Sequence, residues 1–70
     1  MNNFREVFGN RLKELRKSRN LTQIELGKII GVSNNAICLY ENSKHEPLFE
    51  HLVNISKFFN VSIESLLNIS

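Results

Sequence analysis

The chain holds few side chains suited to making or breaking covalent bonds. Its two histidines, His45 and His51, stand six residues apart, and aspartate is absent from the sequence. Glu46 and Glu50 lie beside them, but there is no serine–histidine setting with an orienting acid and no glycine-rich phosphate loop. Two glutamates near a histidine are ordinarily a solvated helix start. Cys38 is the single cysteine, which rules out an intrachain disulfide and a metal site built from a cysteine cluster. The expectation is therefore no enzyme, no metal, no other cofactor and no small-molecule substrate. What remains is non-covalent: side-chain amides, hydroxyls and cations, concentrated around Gln23, Asn34, Asn35 and Lys44.

The element that must position them is Leu21 to Asn42, LTQIELGKIIGVSNNAICLYEN. Thr22 with Glu25 three positions on has the spacing of a capping box, and Leu21 and Leu26 fall where an apolar pair staples the entering chain to the first turn. Gly31 can take positive φ and stop that helix. Ser33 caps the next, with Val32 and Ile37 as its staple. A stop, one linking residue and a cap leave room only for a sharp corner. That is helix-turn-helix geometry, in which a second helix can be presented to a major groove.

The flanks read as helices too. Phe4, Phe8, Leu12 and Leu15 recur at spacings of four, four and three, a single apolar stripe that Asn20 ends by its tolerance of the left-handed region. Pro47 suits the first position of a fourth helix, which buries Phe49, Leu52, Ile55 and Phe59 and ends at Asn60. Ser62 caps a last short helix, stapled by Val61 and Leu66. The spacing predicts helices over about 4–18, 23–30, 34–42, 47–58 and 63–68. The fold class is all-α, a compact five-helix domain with short connections, residues 1–70 forming one unit.

Composition fits a globular chain of this size, with 41% hydrophobic and 23% charged residues. The net charge is +2, unevenly spread: the first twenty residues carry six basic against two acidic side chains, and the last fifty carry three against five. A basic run of that kind is as readily a solvated helix face as a binding surface. No apolar run approaches the ~18 residues of a membrane span, and no signal-peptide pattern opens the chain, so a cytoplasmic setting away from membranes is expected.

Arg11 and Arg16, then LTQIELGKIIGVS, AICLYENSKHEP and FNVSIESLL, resemble the phage repressor and Cro type of helix-turn-helix domain from about Phe8 to Leu67. The resemblance implies a transcriptional regulator, most often a repressor, that binds palindromic double-stranded DNA as a homodimer. It also implies phosphate contacts from Thr22, Gln23, Ser33, Asn42, Ser43 and Lys44, and a side-chain bond from Gln23 to Asn34. An ion pair between Arg16 and Glu41 should hold the recognition helix to the scaffold. Such domains usually carry alanine at Gly27, and either residue is small enough for close helix packing. They often have glycine at Asn20, Ser43 and Asn60, and serine at 43 is the least easy of the three replacements. Tyr40 should be core. Ile24 and Ile29 stand where polar residues are usual, which leaves them available to a partner.

Helical geometry singles out the base-reading face. With Ile37 and Tyr40 inward, Asn34, Asn35, Cys38 and Leu39 lie on or beside the opposite side. An asparagine can make paired bonds to adenine N6 and N7. Leu39 either meets a thymine methyl or is half-buried, and Cys38 is small enough to sit near the groove as an inert thiol. Phe58, Ile63, Leu67 and Ile69 are left as apolar side chains for a dimer interface. Two classes of function fit: a sequence-specific regulator, or a protein-interaction module of the same fold, of antitoxin or anti-repressor type, with weak or no DNA binding.

Overall fold

The computed structural model describes residues 3–67, and Ile69 lies outside them. Five helices follow one another: α1 Phe4–Ser18, α2 Gln23–Ile30, α3 Asn34–Glu41, α4 Phe49–Phe59 and α5 Ile63–Leu67. No strand occurs among the described residues. The caps are where local sequence places them. Thr22 Oγ1 accepts from the Glu25 amide at 3.0 Å while the Thr22 amide donates to the Glu25 carboxylate at 2.8 Å, a complete capping box. Ser33 and Ser62 each accept from the amide three residues on.

Four helix ends close in the same way. Gly31, Asn20, Ser43 and Asn60 take positive φ, at 95°, 56°, 63° and 56°. The next residue's amide then reaches back five positions, as from Lys44 to the Leu39 carbonyl at 2.8 Å, which satisfies carbonyls the helix leaves open. Ser43 is held left-handed without being glycine, at some cost in backbone strain.

Among the described residues ten side chains form one core, from Phe8 and Leu12 of α1 through Leu26, Ile37 and Ile55 to Leu66 of α5. Tyr40 belongs to it, with its ring edge-on to Phe8 at 5.9 Å between centroids. Ile24 and Ile29 are exposed.

Two expectations for α4 are corrected. Pro47 is not its first residue: His51 and Leu52 both donate to the Leu48 carbonyl, so Leu48 is the cap and Pro47 precedes it. Leu48 offers no side-chain acceptor to the amides of the first turn, unlike the serine and threonine caps. Phe49 is not buried but 73% exposed. Side chains lean toward the start of their helix, so an aromatic at the first position of α4 leans past the core, although its spacing from Leu52 is right.

Gly27 is corrected as well. A β-carbon there would stand 2.6 Å from the Val32 carbonyl oxygen, so alanine could be seated only if the turn moved. Gly9 is tighter still, with 2.4 Å to the Tyr40 carbonyl oxygen. Its missing side chain lets α1 run directly against the end of α3.

Candidate nucleic-acid interface

The site is built on α3, which packs against both α1 and α2. Ile37 and Tyr40 are buried, and Asn34 and Asn35 in the first turn are exposed. Cys38 and Leu39 are half-buried at the edge of the outward face. Cys38 is a free thiol, and its sulfur accepts from Asn42 Nδ2 at 3.3 Å. The same Asn42 nitrogen donates to the Cys38 carbonyl at 3.0 Å, so one polar edge of Asn42 is turned back on its own helix.

The other expected phosphate contacts are similarly spread over the two helix starts and the loop after α3. Thr22 and Ser33 are exposed and use their oxygens as cap acceptors, which leaves each hydroxyl hydrogen to donate outward. Lys44 is exposed, whereas Ser43 is half-buried in its left-handed turn.

Gln23 departs from expectation. Its side chain does not bond Asn34; Nε2 donates instead to Glu41 Oε1 at 3.2 Å. Glu41 is buried and also receives both arms of Arg16, Nε at 2.6 Å and Nη2 at 3.0 Å. Arg16 Nη1 in turn donates to the Leu21 carbonyl at 2.8 Å, on the segment entering α2. The expected ion pair is therefore present, and it joins all three helices around the site. Hydrogen bonding to Glu41 raises the Arg16 guanidinium above its ordinary value.

Four basic side chains of the first twenty residues are engaged within the molecule. Arg5 pairs with Glu46, Arg11 bonds Ser65 and lies near Glu14, Arg16 holds Glu41, and Arg19 covers Phe58 and Phe59 with its guanidinium 5.1 and 5.3 Å from the ring centroids. Lys13 and Lys17 are exposed. Of the six basic residues of the first twenty, Arg11 and Arg16 tie α1 to α5 and α3, Arg5 and Arg19 reach the loop before α4 and the end of α4, and the two lysines stay exposed. Sequence reading did not find the Arg19 stack, nor the bond from Asn54 to the Ile30 carbonyl that ties α4 to the end of α2. Nothing local marks either.

Phe58, Ile63 and Leu67 are half-buried and pack against the core. They present part of their surface outward, with Arg19 over Phe58. Among the described residues no cluster of ligating side chains could hold a metal, and no helix is long and apolar enough to cross a membrane.

Two short helices at a sharp turn, the second with an open polar first turn and a buried brace, define a helix-turn-helix domain. The helix-turn-helix family matches residues 12–66, and the chain belongs to that family. It is 44% identical over 61 residues to the HTH-type transcriptional activator BcrR of Enterococcus faecalis, across 87% of this chain and 30% of that protein. It is 42% identical over 57 residues to an uncharacterized HTH-type transcriptional regulator of Methanocaldococcus jannaschii, across 81% and 86%. Repressor protein C2 of Salmonella phage P22 is 40% identical over 62 residues, 89% of this chain and 29% of that protein. The crystal structure of that repressor with a synthetic operator superimposes with a TM-score of 0.84 over 90% of this chain and 96% of that one. The chain thus spans under a third of the length of BcrR and C2.

Proposed function

We propose that the chain is a sequence-specific DNA-binding transcriptional regulator acting in the cytoplasm, its residues 1–70 forming one helix-turn-helix domain. It is a DNA-binding module and not an enzyme, in keeping with its family. α3 enters the major groove, where Asn34 and Asn35 read bases with Cys38 and Leu39 beside them. Thr22, Ser33, Asn42, Ser43 and Lys44 face the backbone on either side, with Gln23 among them at the start of α2. The observation that carries this reading is the open first turn of α3 on a fold that matches an operator-bound repressor at 40% identity.

One recognition helix reads few base pairs, so the working form is a homodimer on a two-fold operator with half-sites ~34–36 Å apart. The outward parts of Phe58, Ile63 and Leu67, together with Ile69, supply its interface. Selection from a pool of random duplexes tests the reading directly, and an inverted repeat is the expected product. An interaction-only module would enrich no motif. Sedimentation on the selected duplex tests the dimer: the wild type should bind as two copies, and Leu67→Glu should separate them.

A further inference from the structure

We propose that Glu41 is a positioning residue for DNA recognition. By taking the Gln23 amide nitrogen, it fixes the Gln23 carbonyl oxygen outward as an acceptor for an amino group on a base edge. This rests on the DNA-binding reading above and gives Gln23 a base contact in place of the phosphate contact that family resemblance implies.

The orientation follows from the chemistry of the pair. An ionised carboxylate only accepts hydrogen bonds. Were the Gln23 amide turned over, its oxygen would face Glu41 Oε1 at the 3.2 Å now spanned by a hydrogen bond, lone pair against lone pair. Glu41 cannot yield, because its side chain is 3% exposed and both its oxygens are held by Arg16. One of the two states open to a surface glutamine is therefore removed before DNA arrives. Gln23 Oε1 is left without a hydrogen-bond partner among the described residues, yet it is not among the buried unpaired atoms, so it meets solvent.

An outward carbonyl oxygen suits a donor. DNA phosphates present acceptor oxygens alone, and Gln23 offers them only its second Nε2 hydrogen, with Oε1 opposing beside it. Adenine N6 and cytosine N4 are donors in the major groove, and adenine adds the N7 acceptor that the remaining N–H would meet. Arg16 completes the device. Its positive charge offsets that of Glu41, so the carboxylate can stand behind Gln23 without repelling the duplex.

The test uses the duplex best retained in selection, with each adenine replaced in turn by purine and each cytosine by pyrimidin-2-one, analogues that lack the amino group. At one position the wild type should lose ~5- to ~100-fold in affinity, the range of a well-made base contact. Gln23→Ala should bind that modified duplex and the unmodified one equally. In Arg16→Met/Glu41→Met, which leaves no unpaired charge, the discrimination at that position should shrink. A measurement on the unaltered free protein covers failure of that variant to fold: one Gln23 Nε2 proton should be displaced downfield by the carboxylate in its nuclear magnetic resonance spectrum. Ordinary amide positions for both protons would overturn the proposal. So would a Gln23 contribution that disappears at a neutral methylphosphonate linkage rather than at a missing amino group. A protein that enriches no duplex overturns the DNA-binding reading as well, whereas one that binds without Gln23-dependent discrimination overturns this inference alone.

Discussion

Arg16 and Glu41 meet as two parallel hydrogen bonds, Nε to Oε2 at 2.6 Å and Nη2 to Oε1 at 3.0 Å, with their side chains 12% and 3% exposed. The pair joins the end of α1 to the end of α3. Desolvation offsets much of its attraction, so its net contribution is small, but removing one member strands the other. Arg16→Met should cost ~3–5 kcal/mol by leaving Glu41 buried and unpaired. Arg16→Met/Glu41→Met should recover most of that loss. Urea denaturation of both variants checks it, and equal loss in the two would mean that the pair does not act as a unit.

Gly9 sets the distance between the same two helices. Alanine in place of glycine within a helix usually gains ~1 kcal/mol. Here the added β-carbon would stand 2.4 Å from the Tyr40 carbonyl and 3.2 Å from that of Glu41, both backbone atoms with little room to move. Overpacking of that kind costs ~1–3 kcal/mol, so the clash should win and Gly9→Ala should lower the thermal midpoint. Asn10→Ala, one residue on and exposed, should raise it slightly.

These residues divide what the sequence makes legible from what it does not. Thr22, Glu25, Ser33 and Ser62 act within one turn of themselves, so their spacing suffices to place the helix starts. Phe8, Leu12, Ile37 and Ile55 lie on stripes that no alternative element would satisfy. Arg16 and Glu41 could be paired only through family resemblance, since 25 residues separate them. Gly9 could have been suspected, because glycine inside an otherwise regular helix usually has a packing reason. The partner of Gln23 and the stack of Arg19 on Phe58 depend on where whole helices come to rest. Phe49 misleads because periodicity says which side of a helix a residue takes, and not whether the core extends that far.

Tyr40 gives the fold a pH dependence at the alkaline end. It is 6% exposed, and burial pushes its phenol above the ordinary value. The phenolate therefore forms first in the unfolded chain, and stability that is whole below pH ~10 declines as pH rises through the folded value. Tyr40→Phe removes the ionisable group and keeps the ring against Phe8. Urea midpoints between about pH 8 and 11 should fall less steeply for this variant than for the wild type. Parallel curves would assign the alkaline loss to other groups.

Asn34 and Lys44 separate the two kinds of DNA contact. Both are exposed, Asn34 in the first turn of α3 and Lys44 in the loop just after it, so neither substitution disturbs the core. Asn34→Ala removes a directional amide and should cost ~1–3 kcal/mol on the selected operator while relaxing preference at one base pair. The Asn35→Ala variant should behave alike at a neighbouring position. Lys44→Ala removes a charge that reads no base. It should weaken binding to every duplex by a similar factor and reduce the slope of log affinity against log salt by ~0.9, one released counterion's worth. Affinities measured on operator and random duplexes at several salt concentrations resolve these outcomes. Two variants that lost equally on random DNA with unchanged salt slopes would show that neither residue holds the role given to it.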